Sequence, residues 1–196
     1  MKVVGITGGI GSGKTLVSSV FSSMGIPVFN ADEEAKMVYE RHPEIINTVL
    51  TEFGDAVITD NKVNRAALAN KVFNDKTALQ RLNAIVHPLV AKSFINWSLK
   101  QTSNYVLREA AILIESNSYK DCAHIILVSA EEETRIERVR NRSKLSEEEI
   151  RQRMSHQMTD EQRRSFCDFE IRNNGIELIL PQIAKIHSSI MDEKRS

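Results

Sequence analysis

Gly8-Gly9-Ile10-Gly11-Ser12-Gly13-Lys14-Thr15 sets four glycines, a serine, a lysine and a threonine between an apolar run and a helical pattern. Five of the chain's eight glycines fall in its first thirteen residues, although glycine loses more entropy on ordering than any other residue. That cost implies that something approaches the backbone closely. The order fits G-x-x-x-x-G-K-[ST], the P-loop, whose successive amides turn inward around phosphate oxygens where side chains would obstruct. The helix that follows points its positive end at the same anion. Lys14 is placed for the β- and γ-phosphates and the Thr15 hydroxyl for Mg²⁺. Gly9, Gly11, Ser12, Gly13, Lys14, Thr15 and Leu16 are therefore the expected ATP-binding residues, with Thr15 as metal ligand. A glycine turn that binds nothing is the bland alternative; a strand before the loop and a helix after it argue against that.

A P-loop does not name the reaction. Guanine-nucleotide switches carry N-K-x-D and D-x-x-G, but Asn61-Lys62-Val63-Asn64 lacks the aspartate and no D-x-x-G occurs. ATPase motors end a strand in an apolar run followed by Asp-Glu; Ala111-Ile112-Leu113-Ile114-Glu115 comes nearest, with a lone glutamate. A small-molecule kinase fits better, because it must enclose its acceptor to keep water from the phosphoryl group.

An acceptor hydroxyl needs a carboxylate to take its proton or orient it. Asp32, just past the end of the second strand, is the best candidate, since ligands in open parallel sheets bind outside the carboxyl ends of the strands; Glu33 and Glu34 beside it are not excluded by spacing. Its position serves equally well to complement a helix dipole. Thr134, Arg138 and Arg142 recur at i, i+4 and i+8, one face of a helix, and arginine's planar fork suits phosphate oxygens. Arg142 reads as a catalytic cation on that face. Arg135, Arg138 and Arg140 also lie near Glu131–Glu133 and Glu137, where surface pairing is the ordinary fate of such residues, and Arg140 reads as solvent-facing.

The elements that must position these groups alternate. Residues 3–7, 26–30, 105–107 with a continuation toward 114, 124–129 and 169–172 read as strands, several of them apolar on both faces. Ser129/Glu132, Ser146/Glu149 and Thr159/Gln162 have capping-box spacing. The expected fold is α/β, a P-loop NTPase three-layer sandwich around a five-stranded parallel sheet. About seventy residues separate the second strand from the third, far more than one crossover helix needs. Helical patterns at 33–40, 43–53, 65–73, 76–84 and 88–101 fill that interval, and strands are scarce in it. The expected organisation is a core of residues 1–30 and 104–196, with a helical lid at about 135–164 lying over the sheet's edge, and a mainly helical acceptor-binding insertion at 31–103.

The 196 residues carry 26 basic and 26 acidic side chains, so no global field recruits nucleic acid or a membrane, and neither is an expected partner. No run approaches the ~20 apolar residues that span a bilayer, and the N-terminus does not read as a signal peptide. The two cysteines, Cys122 and Cys167, have no metal-ligand spacing and read as free thiols in a reducing compartment. A cytoplasmic protein is expected.

Several stretches together resemble one family, dephospho-CoA kinase. Ile6 through Lys14 is similar to its P-loop, Asn30-Ala31-Asp32 to its Asp-Ala-Asp segment, and Leu82-Asn83-Ala84-Ile85-Val86-His87-Pro88 to its L-N-x-I-x-H-P stretch. Thr134 through Arg142, Gln157, and Asn173-Asn174-Gly175 resemble its lid and late nucleotide-side loop. The resemblance implies ATP-dependent, Mg²⁺-dependent phosphorylation of the ribose 3′-hydroxyl of dephospho-CoA, giving coenzyme A and ADP. It implies that Asp32 is the base, and that Lys14, Thr15 and Arg142 serve phosphate, metal and lid. Arg138, Asn173 and Asn174 then belong to the ATP side, and Asp32, Arg65, Leu82 and His87 to the acceptor side. For His87 a core role stays open. A kinase of nucleoside monophosphates or small polyols is the alternative, and a nucleotide-binding module without catalysis is a third reading. The expected partners are ATP and dephospho-CoA, with the chain a monomer or weak homo-oligomer. Asn30 replaces the family's first aspartate, Lys36 stands where arginine is common, and Ala111 replaces a proline.

Overall fold

The computed structural model describes residues 1–73 and 75–193. The chain divides into two compact units, Met1–Asn30 with Gln101–Ser196, and Ala31–Lys100.

The first unit is built on five parallel strands: β1 (Lys2–Thr7), β2 (Val28–Asn30), β5 (Tyr105–Glu109), β6 (His124–Ser129) and β7 (Phe169–Arg172), in the order β2-β5-β1-β6-β7. β1 lies between β5 and β6, which pair with it over Lys2–Ile6 and Val4–Thr7 respectively. Alternate residues of these strands (Val4, Ile6, Ile126, Val128, Ile171) face one way and close on Val17 and Phe21 of α1 (Lys14–Ser23) and Ile183, Ile186 and Ile190 of α9 (Ile179–Asp192). Ile125 and Leu127 point to the opposite face and are also buried. Burial on both sides explains why the strands read as continuous apolar runs.

Two expectations change here. β5 stops at Glu109 rather than running toward Ile114; Ala110 N–H still donates to Ile6, but from Ala111 the chain turns, with Ser116 N–H closing onto Ile112. The apolar residues Leu113 and Ile114 are buried by that turn, not by a strand. Ser129 does not cap α6 (Glu132–Arg142): it is the last residue of β6, and its hydroxyl donates to Glu170 on β7 at 2.6 Å. The other two capping boxes form, Ser146 on α7 (Glu147–Ser155) and Thr159 on α8 (Asp160–Arg164).

The second unit holds α2 (Ala31–Arg41), α3 (Ile45–Phe53), α4 (Arg65–Phe73) and α5 (Lys76–Ser98). It also contains a two-stranded hairpin, β3 (Ile58–Thr59) and β4 (Lys62–Val63), whose turn residues Asp60 and Asn61 have φ of 50° and 56°. The separate helices expected at 76–84 and 88–101 are one helix running through Pro88. Proline inside a helix costs about 3 kcal/mol. The stripe Ala78, Leu82, Val86, Val90 and Phe94 is buried at a spacing of four, and each large member contributes about 1.5–3 kcal/mol when buried. Stopping at Pro88 would expose Val90 and Phe94, so continuation wins. Asp75 caps this helix by accepting from the amides of Thr77 and Ala78, both at 2.9 Å.

Candidate active site

The glycine loop joins β1 to α1. Gly13 is the N-cap of α1 at φ 94° and, as a glycine, brings no capping side chain of its own, which suits that helix end to an anion. Lys14 Nζ reaches back over the loop to Gly8 O at 2.8 Å. The glycines also answer to the protein itself. A Cβ on Gly9 would lie 2.2 Å from the Arg135 guanidinium, and one on Gly13 would lie 2.1 Å from Asn173 Nδ2. Gly11 combines φ 81° with the Arg135 carbonyl 2.5 Å from where its Cβ would stand.

The arginine-rich excursion therefore rests on the tip of this loop, where the sheet's edge was expected. Ile10 packs with Leu145 and Met154 onto the buried cluster Ile136, Val139 and Ile150, from α6 and α7. Arg138 donates to Ser12 O at 3.5 Å and to Asn173 Oδ1 at 3.4 Å, while Asn173 Nδ2 donates to Ser12 O at 2.8 Å. Of the residues expected on the ATP side, Gly9, Gly11, Ser12, Gly13, Lys14, Thr15, Arg138 and Asn173 thus come together. The Asn174 carboxamide accepts from the amides of Ile176 and Glu177. Leu16 is 52% exposed on the outside of α1, and Arg142 is exposed at the last turn of α6.

Thr15 Oγ1 donates to Glu109 Oε1 at 3.1 Å. Glu109 is 3% exposed, ends β5, and pairs in register with Asn30 on β2. A buried carboxylate beside a hydroxyl at the phosphate loop is the hard-oxygen donor set that Mg²⁺ takes, alongside phosphates and water. The residues fit that ion. Glu115, the nearest sequence candidate for a motor-type acid, lies elsewhere: it accepts from Arg163 at 3.0 Å and from the Met158 amide.

In the second unit, α2, α4 and α5 line an open cavity of about 570 Å³, with Lys36, Tyr39, Arg65 and Asn83 as its polar lining and Leu68, Val72, Leu82 and Val86 among its apolar walls. Burial raises the Tyr39 pKa, and the nearby Arg65 charge opposes the rise. Arg65 and Leu82 thus line the cavity. Asp32 lies one turn before Lys36 on the same face of α2, and His87 one turn after Asn83 on α5.

Burial pushes both thiols up, Cys122 to about 11 and Cys167 to about 12, so neither is a nucleophile at neutral pH. Burial also lowers the Arg135 pKa, against the opposing pull of Asp160.

A profile of the dephospho-CoA kinase family matches residues 2–177. The chain belongs to the dephospho-CoA kinase family. It is 39% identical over 184 residues to the dephospho-CoA kinase of Bacteroides fragilis strain YCH46, covering 93% of this chain and 90% of that one. It is 32% identical over 188 residues to that of Escherichia coli K12, covering 95% and 91%. The crystal structure of TT1252 from Thermus thermophilus superposes with a TM-score of 0.84 at 31% identity over 100% of this chain and 98% of that one. Shikimate kinase from Acinetobacter baumannii, at 15% identity and TM-score 0.56 over 100% and 96% of the two chains, shares the fold. As a member of the dephospho-CoA kinase family, the chain is a phosphotransferase whose chemistry depends on a nucleotide and whose acceptor is a hydroxyl on a small molecule. Among the described residues, no helix is long and apolar enough to cross a membrane.

Two groups escaped the sequence reading. Glu109 takes no role from the sequence, although Arg108-Glu109-Ala110-Ala111 compares with a stretch of the family, and only the register of β5 against β1 and β2 brings it to the loop. Arg135 read as one of several surface arginines; its neighbour Ile136, apolar at i+3 from Val139, was the available sign that this side of α6 is covered.

Proposed function

We propose that the protein transfers the γ-phosphoryl group of ATP to the ribose 3′-hydroxyl of dephospho-CoA, giving coenzyme A and ADP. The observation that carries this reading is α2, which carries Asp32 in its first turn and continues as a wall of the polar-and-apolar cavity. An acceptor with an anionic nucleotide end and an apolar-to-polar tail suits Lys36 and Arg65 beside Leu68, Val72 and Leu82. The Asp32 carboxylate takes the hydroxyl proton as the oxygen attacks the γ-phosphorus and the bond to the β-phosphate oxygen breaks. Lys14 and the first-turn amides of α1 bear on the β- and γ-phosphates. Thr15 and Glu109 are the residues that would hold Mg²⁺, which when bound neutralises charge on those oxygens. Arg142 is the lid cation, Arg138 and Asn173 shape the loop from the base side, and Asn174 borders it; His87 extends the acceptor face of α5. The enzyme works in the cytoplasm as a monomer or weak homo-oligomer.

The test is a substrate panel read by ADP formation. ATP consumption should require dephospho-CoA; preference for AMP, UMP or shikimate would overturn the assignment.

A further inference from the structure

Ile10, at the tip of the phosphate loop, is held on both of its peptide groups by side chains. Its N–H donates to Gln157 Oε1 at 2.9 Å, and its carbonyl accepts from Arg135 Nε at 3.0 Å. Its side chain meanwhile sits against Ile136, Val139 and Ile150. Neither partner is loosely placed. Arg135 is 7% exposed, and its guanidinium lies 3.7 Å from Asp160, itself 3.4 Å from Arg163. Arg163 is fully buried and pairs with Glu115 at 3.0 Å; Glu115 also accepts from the Met158 amide next to Gln157. The chain of contacts is closed: loop tip, Arg135, Asp160, Arg163, Glu115, Met158, Gln157 and back to the loop tip.

We infer that Gln157 and Arg135 are positioning residues for phosphate binding: they fix the two peptides flanking Ile10, and so set where the neighbouring amides of the loop point. The inference rests on the reading that this loop binds ATP. The physical reason is the conformational freedom of Gly9 and Gly11 on either side of Ile10. A loop with that freedom must be ordered when phosphate binds, unless something orders it beforehand. Two hydrogen bonds, one from Arg135 on α6 and one from Gln157 in the bend between α7 and α8, both tied to a buried ion-pair network, do so in the free protein. The Gln157 bond occupies the Ile10 amide, leaving the later amides of the loop to receive phosphate.

The test uses the full chain, with Gln157→Ala as the disrupting variant and Gln157→Glu as the conservative one, since a carboxylate oxygen still accepts from the Ile10 amide. ATP affinity by calorimetry should fall about tenfold in Gln157→Ala, the scale of one lost hydrogen bond. KM for ATP should follow the affinity while kcat and KM for dephospho-CoA stay within about twofold, a split that a general loss of stability would not produce. Amide hydrogen exchange at residues 9–11 without nucleotide should speed up in the alanine variant and stay slow in Gln157→Glu, a readout free of repulsion between the new charge and ATP. If Gln157→Ala does not fold, Gln157→Met keeps the bulk and removes the carboxamide. Unchanged ATP affinity and exchange in the disrupting variant, or exchange in the glutamate variant as fast as in alanine, would overturn the inference. A wild-type protein that binds ATP yet ignores dephospho-CoA would refute the proposed function and leave the clamp standing.

Discussion

Thr15 and Glu109 meet across 3.1 Å, joining the first turn of α1 to the end of β5. The contact puts a carboxylate with 3% exposure against the hydroxyl that the phosphate-loop pattern reserves for Mg²⁺. Glu109 also lies in register with Asn30 on the neighbouring strand β2.

Glu109→Gln keeps the hydrogen bond to Thr15 and removes the carboxylate's charge. Turnover should fall about 10- to 100-fold, the range seen when groups supporting a metal are altered. The Mg²⁺ concentration giving half-maximal rate should rise, while the thermal midpoint stays close to that of the unaltered protein. An unchanged Mg²⁺ titration would separate Glu109 from the metal.

Asp32→Asn tests the base. The variant should bind ATP with unchanged affinity and lose about 10²-fold or more in kcat, the scale of general-base loss. Near-full activity would remove Asp32 from the mechanism and leave it as an acid complementing the start of α2.

Arg65→Met should act on the acceptor alone. The methionine keeps the apolar stem that lines the cavity and loses the cation, so KM for dephospho-CoA should rise about tenfold or more with KM for ATP unchanged. The same substitution removes the charge that opposes the upward shift of Tyr39, so the Tyr39 hydroxyl should titrate higher still, readable by ultraviolet absorbance.

The thiols set an alkaline limit. Cys167, ordinarily near 9.0, is pushed to about 12 by burial, so the folded protein keeps its proton where the unfolded chain loses it. The folded state then binds more protons than the unfolded state above about pH 9, and stability declines as pH rises through that window. Below pH 9 the group contributes no slope. Urea titrations at pH 8, 9 and 10 should show that decline, and Cys167→Ser should lessen it, leaving the part that Cys122 contributes through its own upward shift to about 11. At neutral pH both thiols should alkylate far more slowly in the native protein than after unfolding, because the thiolate is the reacting form.

Local chemistry was legible without the fold. The phosphate loop could be read because its residues are contiguous, and the capping boxes on α7 and α8 because three residues set their geometry. The strands could be read because a buried parallel strand must be apolar on both faces. Pro88 misled, since a proline signals a helix start and nothing nearby in sequence shows that Val90 and Phe94 continue the buried stripe of α5. Ser129 misled for the same kind of reason: its spacing to Glu132 suits a cap, but its partner is Glu170, 41 residues away on β7.

What the sequence determined by itself was the presence of a triphosphate loop, a parallel sheet and a long helical insertion, because each is written in short-range spacing. The tertiary structure alone decided that Glu109 stands behind Thr15, that Arg135 and Gln157 grip Ile10, and that Glu115 belongs to an ion-pair network instead of the nucleotide. Those contacts join residues separated by 94, 125 and 147 positions. Their geometry follows from strand register and helix packing, which depend on how the whole core closes.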